Sequence, residues 1–273
     1  MAPVVFFLSM RLKEKLTSLQ NPRVKGAVRL RERRERDRTG TYLVEGYREL
    51  LRAVEGDAPL QTLFVSPTHF LGENETALIE KISCEVFEVS PDVFEKMSYR
   101  DRPDGLLAIA KKEEKTLRDL TLSKNPFLLV AEGIEKPGNL GTILRSADGA
   151  GVESLLVCDR CTDITNPNVV RASVGTLFTM PTLEVSSHEL IPYLKENKIT
   201  IVAATPSAKM CYTDADLSGP IAIAVGTEQL GLSDTWMEGA ALHVSIPMRG
   251  AADSLNVATA TTLLLYEAAR QRY

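Results

Sequence analysis

The chain has 273 residues, 44% apolar and 25% charged, which excludes a disordered segment, a collagen-like repeat and a coiled-coil rod. No apolar run approaches the ~20 residues that span a bilayer, which argues against an integral membrane protein. The formal net charge of −4 hides a segregated distribution. Residues 23–38 hold eight Arg/Lys against three Asp/Glu, so this stretch is basic and the remainder acidic.

The opening MAPVVFFLSM has an apolar core with no basic residue ahead of it, a poor match to a secretory signal, and Met10 begins a more ordinary start, MRLKEKL. Residues 11 to about 55 read as helical, apart from a turn near Thr39-Gly40. Arg31 with Glu35, Glu32 with Arg36 and Arg33 with Asp37 are spaced four apart, as helix ion pairs are. TLFVS (62–66), CEVFEV (84–89) and GLLAIA (105–110) read as strands, with helix-compatible ALIEKIS between the first two. Residues 11–110 therefore form a small α/β unit, and polar 111–125 is its connection to a second domain, 126–273.

From Pro126 the texture changes. FLLVAEG, SLLVC, ITIVAAT, IAIAVG and HVSIP are almost wholly apolar, each followed by helix-compatible sequence. Continuous apolarity marks strands covered on both faces, hence a mostly parallel sheet with helices on each side. In such sheets ligands sit in the loops after the strand carboxyl ends. Cys158 and Cys161 form a single CxxC, with Cys84 and Cys211 far away and three scattered histidines. Four metal ligands are not evident, so buried thiols in a reduced, cytoplasmic protein are the expectation and no metal site is assigned.

Three of those loops carry unusual residues. After FLLVAEG, Asn139 stands where a helix should begin, the place of an N-cap, and Arg145 lies one turn beyond Gly141, free to reach over it or to pair with Asp148. After IAIAVG, Gly226 and Gly231 frame Glu228 with neither dinucleotide nor Walker spacing. After HVSIP, Ser254 is a natural N-cap, and Asn256 is odd in an apolar first turn. From Leu255 to Ala269 only Glu267 is charged, so this last helix is buried in a core or against another subunit.

Together these segments resemble the SpoU family of SPOUT RNA methyltransferases. The Asn-x-Gly-x-Ile-x-Arg segment stands at Asn139, Gly141, Ile143 and Arg145, Gly-x-Glu-x-x-Gly at Gly226, Glu228 and Gly231, and the third motif at Ile246-Pro247-Met248 and Ser254-Leu255-Asn256-Val257. The leading half, with TYLVEGYRELLRAV, is similar to the L30e-like substrate-binding domain of many members. The resemblance implies an α/β fold with a C-terminal trefoil knot, a homodimer through the C-terminal domain, and S-adenosylmethionine-dependent 2′-O-methylation of ribose, favouring 23S ribosomal RNA over transfer RNA. It implies catalytic roles for Asn139, Arg145, Glu228, Ser254 and Asn256, and cofactor binding by Thr205, Gly226, Glu228, Gly231, Ile246, Met248 and Leu255.

Methyl transfer to a hydroxyl is an in-line displacement for which positioning can supply ~7–11 kcal/mol. An arginine with pKa above ~12 is a poor base, so an electrostatic role suits Arg145. A 2′-OH acceptor means RNA. The basic stretch, with Arg23, Lys25, Arg29, Arg33 and Arg34, is then either a phosphate contact or a solvated helix laced with ion pairs. A non-catalytic RNA-binding protein would lack Asn139, Arg145 or Glu228, and all three are present. A dinucleotide enzyme would carry GxGxxG, and none follows a strand here.

Overall fold

The computed structural model describes residues 12–159 and 162–273, so the first nine residues and Cys161 lie outside the described residues. The chain divides into two compact units, Met1–Glu113 with Thr165–Thr179, and Glu114–Ile164 with Met180–Tyr273.

The first unit contains β1 (Leu12–Leu16), α1 (Pro22–Arg29), α2 (Arg33–Thr39), β2 (Thr41–Glu45), α3 (Tyr47–Glu55), β3 (Leu60–Val65), α4 (Glu75–Lys81), β4 (Glu85–Val89), α5 (Pro91–Met97) and β5 (Leu106–Lys111). It also takes in α7 (Pro167–Ala172) and α8 (Thr176–Thr179) from later in the chain. Its sheet runs β1-β4-β3-β5-β2, with β5 antiparallel to both neighbours and the other pairs parallel. The period of two along β3 splits the core. Leu63 and Val65 join Leu50, Ile79 and Val170 on one face, while Phe64 joins Val24, Phe87 and Phe94 on the other.

Two stretches of the helical reading of 11–55 are strands instead. LKEKL pairs in parallel with β4 and lays Lys13 against Glu85 and Lys15 against Glu88 (2.6 Å). TYLVE is set between two glycines of positive φ, Gly40 (+63°) and Gly46 (+108°), which delimit it as helix propensity alone does not. The basic stretch breaks between α1 and α2. Arg33 pairs with Asp37 (3.5 Å) as expected, but Glu35 takes Arg38 (2.5 Å), and Arg31 donates to the carbonyls of Lys96 (2.8 Å) and Ser98 (2.5 Å).

The second unit begins with a single 3₁₀ turn, Leu117–Asp119, whose neighbours Leu120 and Leu122 pack with Leu117 on this unit's core. Then follow β6 (Phe127–Glu132), α6 (Pro137–Gly149), β7 (Ser154–Cys158), β8 (Thr182–Val185), α9 (Ser187–Glu196), β9 (Thr200–Ala204), β10 (Met210–Cys211), β11 (Ile221–Val225), α10 (Asp234–Gly239), β12 (Leu242–Ser245) and α11 (Val257–Arg272). All seven strands are parallel, in the order β10-β12-β9-β11-β6-β7-β8. β6, β7 and β11 are buried at every position, which is why their sequences show no alternation. Alternate residues Leu128, Val130, Leu156, Ala222 and Ala224 pack around fully buried Trp236, and α11 packs against α6 and β11.

The order of strands creates a switch point. From β6 the chain crosses to β7 on one side, and from β11 it crosses to β12 on the other, although β6 and β11 are hydrogen-bonded neighbours. Open sheets of this kind place ligands at the carboxyl ends of the strands beside such a point. Cys158 is buried, and burial pushes its thiol up to about 12, whereas Cys84 and Cys211 are only half-buried. No described helix is long and apolar enough to cross a membrane, and no described group of three His, Cys, Asp or Glu residues could hold a metal ion.

Candidate active site

The loop 226–232 is a tight reversal. Thr227 N–H donates to the Gly231 carbonyl (3.0 Å), and Gly231 N–H returns to the Thr227 carbonyl (3.1 Å). Gly231 has φ +69°, a conformation glycine adopts without strain. Gly226 is needed for a different reason: a Cβ there would lie 2.1 Å from the Gly231 carbonyl oxygen. The loop is tied to the end of β6 by a buried carboxylate, since Glu132 accepts both the backbone N–H (2.8 Å) and hydroxyl (2.6 Å) of Ser233. The lone acid closing FLLVAE was the sequence signal for that tether.

Beside this reversal is a cavity of about 570 Å³. Its apolar walls are Val225, Leu232, Val244 and Leu264, and its rim is the backbone and side chains of the loops after β9, β11 and β12. Thr205, Gly226, Glu228, Gly231, Ile246, Met248 and Leu255 all line it, as do Asp253 and Ser254.

At one edge of the cavity Glu228 joins three loops. Asn139 Nδ2 donates to its Oε1 (2.6 Å), and Asn256 Nδ2 donates to the same oxygen (2.9 Å) and to Asn139 Oδ1 (3.2 Å). The Lys136 ammonium donates to Oε2. That hydrogen bond holds the Glu228 carboxyl below its ordinary value, against the opposing effect of burial and with the help of the Asn139 amide. The carboxylate is therefore ionised at neutral pH, and its contribution is lost only as pH falls through the depressed value.

Two capping expectations are corrected here. Asn139 does not cap α6. That helix starts at Pro137, whose fixed φ and missing N–H suit a first position, so Asn139 sits in the first turn with its amide free for Glu228. Ser254 does not cap α11 and bonds the Asp253 carboxylate instead (3.1 Å). Asn256 is the cap: its Oδ1 accepts from Ala258 N–H (3.0 Å) and Thr259 N–H (3.4 Å), leaving Nδ2 for the network. One amide thus serves both the helix and the site.

Arg145 is exposed on α6 and makes no hydrogen bond or ion pair with a described residue, Asp148 included. The structure does not join it to the Glu228 network. Lys136, which does join it, was not among the expected residues, and a lone cation just before a helix-opening proline is a weak signal.

The expected RNA contacts lie in the first unit. Arg23 is over the Phe87 ring (4.6 Å) and near Glu85 (3.6 Å), and Arg33 is paired with Asp37. Lys25, Arg29 and Arg34 are exposed and carry no described ion pair.

Comparison with known proteins gives this geometry a context. Residues 126–266 match the SpoU rRNA Methylase family, and residues 21–108 match an MRM3-like substrate binding domain. A 23S rRNA (uridine(2479)-2′-O)-methyltransferase of Streptomyces viridochromogenes is 31% identical over 89% of this chain and 87% of its own. A crystal structure of an RNA 2′-O ribose methyltransferase is 44% identical, with TM-score 0.83 over 94% of this chain and 98% of its own. An AdoMet-bound rRNA methyltransferase from Sinorhizobium meliloti is 30% identical, with TM-score 0.87 over 95% and 98%. With its parallel sheet, its reversal at Gly226 and its three joined loops inside the matched span, the chain belongs to the SpoU rRNA methylase family.

Proposed function

We propose that this protein transfers a methyl group from S-adenosylmethionine to a ribose 2′-hydroxyl, in ribosomal RNA rather than transfer RNA. The observation that carries the reading is Glu228, a cavity-lining carboxylate that receives Asn139 and Asn256 from two other loops. The rRNA preference draws on the matched substrate binding domain and the named rRNA relatives.

The cavity fits the methyl donor on three grounds. Its ~570 Å³ is within the range of small-molecule sites, its apolar walls suit a flat base, and glycines at 226 and 231 leave bare backbone on its lining. When bound, S-adenosylmethionine supplies an electrophilic methyl on a positively charged sulfur. The backbone around Gly226, Ile246 and Leu255 would hold the adenosine, with Thr205, Gly231 and Met248 closing the pocket. Glu228 and Asp253, both on the cavity lining, would offer negative charge to the positively charged sulfur.

The remaining work is orientation and charge. Asn139 and Asn256, fixed by a shared carboxylate oxygen, would align the attacking hydroxyl, and Ser254 would hold the nucleotide's edge. Arg145, whose guanidinium has no partner among the described residues, would meet the ribose and its phosphate and stabilise alkoxide character as the proton leaves. The same reading has the C-terminal chain threaded as a trefoil knot in a cytoplasmic homodimer. It is supported by the loops after β11 and β12 lining one cavity and by Leu263 (39% exposed) and Tyr266 (52% exposed) on the outer side of α11.

In a tritium-transfer assay Arg145→Ala is expected to lower kcat on the order of 10²- to 10³-fold while RNA still binds. Near-normal transfer would remove Arg145 from the chemistry. Gly226→Ala forces a Cβ against the Gly231 carbonyl, and calorimetry should show at least about tenfold weaker S-adenosylmethionine binding from such overpacking, with the fold retained by circular dichroism. Reversing Lys25, Arg29 and Arg34 together to Glu should weaken RNA binding and flatten its dependence on log salt by roughly two to three. An unchanged slope would return the basic stretch to a structural role. Sedimentation equilibrium should give twice the chain mass, and a single-chain mass would end the dimer reading.

A further inference from the structure

Lys136 breaks the rules of its own helix. The residue before a helix is ordinarily Ser, Thr, Asp or Asn, whose oxygen accepts from a free first-turn N–H, and a cation there faces the positive end of the helix dipole. Lys136 occupies the N-cap of α6 and makes no side-chain cap bond. Its ammonium reaches across to Glu228 Oε2 instead. The pair is solvent-accessible, with side chains 67% and 29% exposed, and such pairs contribute little to folding. Stability therefore does not account for a lysine at this position.

The division of labour at Glu228 does. Oε1 already takes two amide donors, from Asn139 and Asn256, and Oε2 takes the lysine. The last torsion of a glutamate is broad and roughly two-fold, so a carboxylate held on one oxygen alone can rock or exchange its oxygens. With the second oxygen also held, the two amides keep a fixed acceptor. We propose that Lys136 is a positioning residue for methyl transfer, anchoring Glu228 Oε2 so that Oε1 holds Asn139 and Asn256 in the arrangement the acceptor hydroxyl needs. This rests on the methyltransferase reading of the site.

The charges around Glu228 agree with that role. Lys136 makes the largest contribution to holding its carboxyl down, and Glu228 in turn raises the lysine. Glu135 is the lysine's neighbour on its own segment and acts on it in the same direction. Asp253, from the loop after β12, lines the same cavity as Glu228, and Arg145 is farther along α6. Loss of the lysine leaves Glu228 with two neutral amides and raises its carboxyl.

The test uses the full chain with Lys136→Met and Lys136→Arg. Steady-state methylation of transcribed 23S rRNA is followed from pH 3 to 9, alongside an NMR titration of ¹³C-glutamate over the same range in which Glu228→Gln identifies the resonance. Lys136→Met should lower kcat on the order of 10- to 100-fold, with KM for either substrate changing less, because misalignment and not binding is the defect. The acid limb of the kcat profile and the Glu228 titration should both move to higher pH, and Lys136→Arg should restore both. An unmoved Glu228 titration overturns the proposal. So does a defect confined to KM for RNA that shrinks as salt rises, since that marks a phosphate contact. Methylation by the wild-type chain decides the parent reading separately: if no ribose is methylated, the site reading fails and the positioning role fails with it, whatever Glu228 titrates like.

Discussion

One carboxylate holds the second unit's functional end together. Glu228, in the loop after β11, has two oxygens and three donors, two from the segment that follows β6 and one from the loop that follows β12. Hydrogen bonds to a charged acceptor are shorter and stronger than neutral ones, so a single side chain can register three otherwise independent segments. The loops need such a clasp because they belong to strands whose connections run in opposite directions. Without it the edge of the cavity at Glu228 would have no reason to keep a defined shape.

The sheet and the clasp depend on each other. Continuous apolar strands place β6 and β11 side by side, and the buried Glu132 fixes the start of the segment leading into α10 through two bonds from Ser233. Gly226 lets the following turn close on the Gly231 carbonyl, which brings Glu228 to the cavity edge. Asn256 then performs two tasks with one amide, capping α11 with its oxygen and joining Glu228 with its nitrogen. Core packing sets the scaffold to the precision of a strand register, and a few charged hydrogen bonds supply the finer alignment that chemistry requires.

The fold is legible in the chain where the signal is local. The strands from FLLVAEG to HVSIP emerge as β6, β7, β9, β11 and β12, since burial on both faces leaves continuous apolarity in the sequence itself. Reading failed where partners decide. LKEKL sets three charged residues between leucines four apart, a spacing as compatible with a helix as with a strand, and only pairing with β4 makes it β1. The ion pairs expected along the basic stretch were altered because carbonyls at Lys96 and Ser98, more than sixty residues away, compete for Arg31. Asn139 and Ser254 were assigned caps by residue type, while helix boundaries at Pro137 and Val257 put each one out of the capping position.

A parallel α/β second half, three motif-bearing loops at strand ends and a basic segment in the first half are all written in the chain. These follow from local periodicity and residue type. Folding in three dimensions sets which of the motif residues meet, joins Lys136 to Glu228 and not Arg145, and packs Thr165–Thr179 with the first unit. The reason is geometric: a hydrogen bond between residues 117 positions apart, such as that from Asn256 to Asn139, depends on where strands return in space, and no stretch of neighbouring residues encodes that return.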